Sequence, residues 1–359
     1  MCLLLNCAQN GTGLNSTPSE SCALFAESPT SVKCLKTFAY SLILLFSLLG
    51  NLAVVLIVAK NTRMQTTTNF LIANMAASDL LISLFAVPRE LAEIFTGTRR
   101  WLIDGLAGLI LCKFVHFFQD ISTAVSIQSL VVIAVDRYRG VVFPFHSPLI
   151  TSKVCKLVIA VIWIIAMGVH ATYFYTVRLV VQDNKSYYTF SWAPKFEDRK
   201  TQEHYFIFVS IFLIWLPLCV ILTLYARIVL ELKKRNLTGS GASEMRRQRQ
   251  REDMAIVKKI LAIVFLFVLC ITPITIMALL FYFMWDWALP CGMDKLMIAA
   301  KYIFYSNASL NPCVYFILNK KYRQGLKDLA KCSRFSQECR NNNNMTLRNM
   351  STQDAVIEN

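Results

Sequence analysis

The sequence predicts an all-α membrane protein, a seven-transmembrane helix bundle. Three observations carry that expectation. Of 359 residues, 55% are apolar and only 16% charged, against about 25% charged in a soluble globular chain. Long stretches with little or no charge recur at lengths that cross a bilayer, which takes roughly 20 mostly apolar residues in a helix. The Lys and Arg residues gather in two segments outside those stretches. This composition excludes a disordered, collagenous or nucleic-acid-binding chain. The formal charge of +15 then marks the cytosolic face of a membrane protein and no nucleic-acid partner.

The first span is Thr37–Ala59, uncharged between Lys36 and Lys60. The second, Met64–Val87, holds Asp79, and the third, Gly105–Val135, holds Lys113 and Asp120. Leu157–Val177, Tyr205–Ala226 and Ile260–Trp285 carry no charge, and the seventh span, Leu296–Asn319, carries Lys301. An odd number of crossings puts the termini on opposite sides. Segment 226–259 has ten Lys/Arg against four acids, and the residues after 318 have eight against four. The connection between the fourth and fifth spans is nearly balanced, and the one between the sixth and seventh is slightly acidic. Basic segments stay in the cytosol, so an extracellular head over residues 1–36, a spanning domain over 37–318 and a cytoplasmic C-terminus are expected. The sequons at Asn10, Asn15 and Asn184 then lie outside as glycosylation candidates, and those at Asn236, Asn344 and Asn349 inside.

Polar residues within spans are costly in lipid and point to function. Asp79 lies in the middle of the second span, with Asn51, Ser126, Asn307 and Asn311 at similar depth in the first, third and seventh. Facing one another, these groups would solvate a small cation; the alternative is a hydrogen-bonded network joining helices. Catalysis has no comparable support, and the chain is not expected to be an enzyme. His116, His146, His170 and His204 fall in no metal-binding spacing, and neither a Gly-x-Ser-x-Gly elbow nor a phosphate loop is present.

Further landmarks occur once per span and in order: Gly50-Asn51, Asn74 with Ser78-Asp79-Leu80, Asp136-Arg137-Tyr138, Trp163, Pro217 with Tyr225, Phe267-x-x-Cys270-x-x-Pro273, and Asn311-Pro312-Cys313-Val314-Tyr315. Over residues 37 to 331 the chain resembles the rhodopsin-like G-protein-coupled receptors. The resemblance implies a plasma-membrane receptor with a heterotrimeric G protein and arrestin as partners. Arg137 would be held at rest by Asp136 and by Asp253 at the start of the sixth helix. On activation the sixth helix swings outward, and Arg137, Tyr225 and Tyr315 rearrange to open a cleft for the G protein. Pro217, Pro273 and Pro312 would supply local kinks, and the Asp79 cluster would be an allosteric sodium site with no other cofactor. Residues 319–331, with Tyr322 where the family usually has Phe, look like the short amphipathic eighth helix resting on membrane lipids. Cys332 and Cys339 are palmitoylation candidates in a polar tail, residues 332–359, that reads as disordered.

The chain departs from the family at two places. Most members bridge the outer end of the third helix to the loop before the fifth. Cys112 is in place, but residues 176–204 contain no cysteine, and the usual partner would align near Tyr188 if Trp192 is the Trp that comes after it. Cys34 with Cys291 is one candidate pairing among the outer cysteines. Ile271 stands where the family usually has a ligand-sensing Trp, so the trigger passes to Phe267 and its neighbours, or the resting state leaks. Gln119, where amine receptors place a carboxylate, argues against amines, and Tyr305, where opsins place the Schiff-base Lys, argues against retinal. The chain is most similar to the neuropeptide receptor group, which includes the neuropeptide Y, RFamide and orexin receptors. Glu90 and Glu93, with Asp120 as a third carboxylate, would hold a basic residue of an extracellular peptide, or else form a solvated rim. His116, Lys301, Phe281 and Trp287 are candidate walls. The alternatives are a lipid or other small-molecule ligand, or a constitutively active orphan receptor.

Overall fold

The computed structural model describes residues 29–97, 99–143, 150–237 and 244–331. Asn10, Asn15, Cys332 and Cys339 lie outside the described residues, and so does the side chain of Asp253. Among the described residues eight helices run in order. Helix α1 (Thr30–Lys60) begins behind Pro29, well before its uncharged run, because Lys33 and Lys36 prolong the helix past the apolar stretch. Helix α2 (Thr67–Thr96) is capped by Thr66, whose side chain accepts from the Asn69 N–H. Helix α3 (Gly105–Val142) occupies the centre and packs on α2, on α4 (Ser152–Thr176) and on α5 (Asp198–Lys234). Helix α6 (Glu244–Leu279) packs on α7 (Met293–Leu318), and residues 320–331 form α8.

Among the described residues three π turns occur, Ile82–Ala86 in α2, Ser210–Trp215 in α5 and Leu280–Met284 continuing α6, the first two each just ahead of a proline, Pro88 and Pro217. Proline lacks the N–H and crowds the carbonyl one turn back, and a wider turn relieves that clash. Small residues set two close approaches. A Cβ on Gly50 would lie 2.7 Å from ring carbons of Pro312, so glycine lets α1 lie against α7. A Cβ on Gly325 would lie 2.5 Å from Ile57, which seats α8 on α1.

Helices α1 to α6 are long and apolar enough to cross a membrane. Helix α7 has the length, 26 residues, but Asn307, Ser309 and Asn311 make it more polar. All three are buried against the bundle, so lipid does not meet them. The outward faces are apolar, with Phe38, Leu45, Phe46 and Leu49 of α1 and Leu157, Ile164 and Ile165 of α4 exposed. Apolar surface of that extent needs a membrane to cover it.

The connection between α4 and α5 is more ordered than a long loop. Strands β1 (Arg100–Trp101), β2 (Val177–Gln182) and β3 (Lys185–Phe190) form an antiparallel sheet in the order β1-β3-β2, with Val177 opposite Phe190 and Gln182 opposite Lys185. Asp183 and Asn184 make the two-residue turn with φ of 48° and 59°, the left-handed conformation that tight hairpins need. Asn184 is exposed at the tip. Three buried clusters fill the bundle, one around Ile57, Tyr225, Phe267 and Tyr315, one around Phe281 and Tyr305, and one around Cys112 and Tyr188.

Candidate functional site

The end of the bundle that carries the hairpin is organised by Arg89, a residue that sequence reasoning passed over. The π turn ahead of Pro88 adds a residue to the helix and so rotates the side chains beyond it by about 100°. The Arg89 side chain is only 4% exposed. One guanidinium nitrogen donates to Glu93 Oε1 at 2.8 Å and to the Tyr188 hydroxyl at 2.9 Å. The other donates to Glu90 Oε1 at 2.6 Å, Gln119 Oε1 at 3.1 Å and the Tyr305 hydroxyl at 3.0 Å. Lys301 Nζ completes the cluster 3.1 Å from Glu90 Oε2. Two cations face two anions, and the hydrogen bonds run from α2 to α3, to α7 and to β3. Glu90 and Glu93 are therefore neither a solvated rim nor an open acidic pair: each is buried and already paired with a cation of this chain.

Asp120 does not join them. Gln119 faces Arg89, and Asp120, one residue further round α3, accepts from the Tyr173 hydroxyl instead. It lines a separate cleft with His170, Gln202, Tyr205, Phe206 and Thr275, between α3, α4, α5 and α6. The expected third carboxylate thus belongs to a different site. His116 is also displaced from its expected place as a chamber wall. It is fully buried beneath Tyr188 and Phe190, with ring centroids at 4.7 and 5.1 Å, and its Nδ1 lies 2.7 Å from the Cys112 carbonyl. Phe281 is buried against Tyr282 and Trp287.

Tyr188, at the position where the family's loop cysteine would align, anchors the hairpin. Its ring packs on Trp101 and on His116, one turn from Cys112, and its hydroxyl donates to Glu93 at 2.7 Å. Ring stacking and a hydrogen bond to a charged cluster here link the hairpin to α2 and α3. The Cys34–Cys291 pairing is not made. Cys34 is a free, exposed thiol, while Cys291 is disulfide-bonded to a cysteine outside the described residues.

Deeper in the bundle, Asp79 Oδ2 accepts from Asn311 Nδ2 at 2.9 Å, and Oδ1 accepts from Ser126 at 3.4 Å. Ser126 lies 3.1 Å from Ser78. Among the described residues Asn51 makes no hydrogen bond to this carboxylate, and its own Oδ1 is buried without a partner. It donates to Ser47 at 3.1 Å and to the Ala308 carbonyl at 2.9 Å, tying α1 to α7. The Asp79 carboxylate and the Ser126 hydroxyl are oxygen donors of the kind that fit a small hard cation, and Asn307 Oδ1 and Ser122 Oγ are further buried oxygens with no partner among the described residues. Asn311 presents its N–H to Asp79 and supports the carboxylate from behind.

At the end of the bundle away from the hairpin Arg137 pairs with Asp136, Nε to Oδ2 at 3.2 Å, and Tyr138 stands beside them with its ring against Phe143. Tyr225 and Tyr315 are buried with hydroxyls that lack a partner among the described residues. Tyr322 of α8 stacks on Tyr315 at 5.9 Å and donates to Asn69 Oδ1 at 3.3 Å, which fastens α8 to the start of α2. Phe267 and Ile271 are buried one turn apart on α6, with Pro273 just beyond. Trp163 of α4 donates to Asn74 Oδ1 at 2.8 Å.

Residues 50–315 match the family model described as 7 transmembrane receptor (rhodopsin family). The chain is 32% identical over 310 residues to a QRFP-like peptide receptor of Branchiostoma floridae, covering 82% of this chain and 76% of that one. It is 32% identical over 312 residues to neuropeptide FF receptor 2 of Rattus norvegicus, covering 81% and 71%. It is 27% identical over 307 residues to the substance-P receptor of Mus musculus, covering 86% and 73%. With seven long helices in sequence, a buried carboxylate network at mid-depth and the Asp136–Arg137 pair at the end away from the hairpin, the chain belongs to the rhodopsin family of seven-transmembrane, G-protein-coupled receptors.

Proposed function

We propose that this receptor is activated by an extracellular neuropeptide and passes the signal to a heterotrimeric G protein through outward movement of α6. The observation that carries the reading is the ionised cluster at the hairpin end of the bundle. Arg89, Glu90, Glu93, Gln119 and Lys301 converge there, whereas a lipid would ask for an apolar, closed pocket. The relatives named for QRFP-like peptides, neuropeptide FF and substance P support the same class of ligand. The receptor sits in the plasma membrane with its hairpin outside, and the basic segment before α6 faces the G protein. Arrestin reads the phosphorylated Ser/Thr of the C-terminal tail, and α8 rests on the inner leaflet. Sodium is held at Asp79 by Ser126 and Asn307, and it steadies the resting state because a cation there neutralises a carboxylate buried among α2, α3 and α7. The test is expression in a cell line, with neuropeptides, biogenic amines and lipids screened against paired calcium and cAMP readouts. A potent response to one peptide family is expected. A response confined to lipids or amines overturns the reading.

A further inference from the structure

We infer that Arg199 and Glu203, one turn apart at the start of α5, clasp the turn that ends α6 and are positioning residues that set where that helix rests. The inference rests on the α6 movement proposed above and names what restrains it at the hairpin end. Helix α6 runs on through the π turn Leu280–Met284, which the Trp285 N–H closes on the Leu280 carbonyl at 2.8 Å. Asp286 and Trp287 then take φ of 44° and 68°, a left-handed conformation that is uncommon outside glycine and most of all for a bulky residue. Such a turn persists only where its surroundings hold it. Helix α5 supplies the hold at both residues. One Arg199 nitrogen donates to Asp286 Oδ1 at 2.6 Å and the other to the Asp286 carbonyl at 2.9 Å, and the guanidinium carbon stands 5.6 Å from the centre of the Trp287 ring. Glu203 accepts from the Trp287 indole N–H at 2.8 Å. Beneath them Gln202 donates to the Tyr282 hydroxyl at 3.4 Å, and Phe206 packs on the Tyr282 ring at 5.1 Å. Trp287 is buried, whereas the side chains of Arg199 and Asp286 are 53% and 86% exposed, so this ion pair is weak and can open while the rings stay packed. Between the clasp and the far end of α6 lies Pro273, which interrupts the backbone hydrogen bonds and lets the helix flex. A helix that swings out at one end of such a hinge shifts at the other, where Arg199 and Glu203 hold it. Opening the clasp therefore favours the swing.

The test reads the position of α6 directly. Nitroxides are placed on Lys153→Cys of α4 and Lys258→Cys of α6, both exposed at the end away from the hairpin, with Cys34, Cys219, Cys332 and Cys339 changed to Ser. Pulsed electron paramagnetic resonance then gives the distance distribution in the purified full-length receptor. Arg199→Gln and Asp286→Asn are each expected to raise the longer-distance fraction about two- to fivefold, as the loss of a surface ion pair would. The double variant should rise no further than either single, because the two residues act as one pair. Asn tolerates a left-handed φ, so Asp286→Asn keeps the turn and tests the clasp even if Arg199→Gln does not fold. A contact that only packs the two helices would lower the unfolding temperature and leave that fraction unchanged. An unchanged distribution in both variants, or a rise in each that multiplies in the double, would overturn the assignment. Variants in which α6 swings out while cells ignore every peptide would reject the peptide reading and leave the clasp standing. A peptide that lengthens the distance in the parent, with both variants at the parental baseline before it is added, would reject the clasp alone.

Discussion

Arg89 is the residue on which the outer chamber depends. Its guanidinium is buried, and removing it leaves the largely enclosed Glu93 carboxylate without its cation. Breaking a buried ion pair by deleting one partner costs about 3–5 kcal/mol, whereas replacing both partners with apolar groups of similar size can be nearly neutral. Arg89→Met should therefore lower the unfolding temperature of the detergent-purified receptor sharply. Arg89→Met combined with Glu93→Leu should recover much of the loss, and a double variant no better than the single would show that Arg89 stabilises through packing alone. Asp79 makes a second residue-scale case. It is buried beside the Ser126 hydroxyl and held by the Asn311 N–H; if it holds sodium as proposed, thermal stability should be higher in sodium chloride than in the chloride of a bulky organic cation. Asp79→Asn keeps the shape but removes the charge, and should abolish that difference. An unchanged sodium response in the variant would dissociate the ion from this carboxylate.

Among the elements, the hairpin shows how a missing disulfide is made good. Tyr188 is 1% exposed and bridges β3 to α2 through its hydroxyl and to α3 through its ring. Tyr188→Phe keeps the ring contacts and deletes the hydroxyl, leaving Glu93 and Arg89 each one partner short. Loss of a hydrogen bond to a charged, buried partner costs about 1.5–3 kcal/mol, which should appear as a lower unfolding temperature at undiminished surface expression. If the variant melts like the parent, the ring alone anchors the hairpin. The same elements mark the limits of sequence reading. The spans are legible because lipid demands long apolar runs, and the landmarks of α2, α3, α6 and α7 identify themselves by their order. The place of Arg89 was not legible, because a charge near a helix end reads as solvated until the π turn ahead of Pro88 rotates it inward. Pro88 was the available signal, since a proline just past the end of a span announces an irregular turn. Lys185–Phe190 alternates polar and aromatic residues, and that period of two was the signal for β3. What it faced could not be read, because the contacts of Tyr188 with α2 and α3 lie 72 to 99 positions away in sequence.

At the scale of the whole molecule, the charge balance and the hairpin make one claim, that β2 and β3 stand outside the cell and the segment before α6 inside. Asn184 reports on it. It occupies the exposed tip of the hairpin, in an Asn-Lys-Ser sequon. The hydroxyl of that sequon, Ser186 Oγ, is engaged 2.5 Å from Asp104 in the folded chain, so the sugar must be added before the hairpin docks. The opposite face carries its own control at Asn236, in the basic segment that the positive-inside rule holds in the cytosol. With Asn10 and Asn15 both changed to Gln, receptor from cultured cells should still shift in mobility on treatment with a glycosidase, and Asn184→Gln should remove the shift that remains. A glycosidase-sensitive band that persists through Asn184→Gln and disappears with Asn236→Gln would invert the molecule in the membrane. The basic residues before α6 would then face away from any G protein, and the ionised chamber away from any peptide outside the cell.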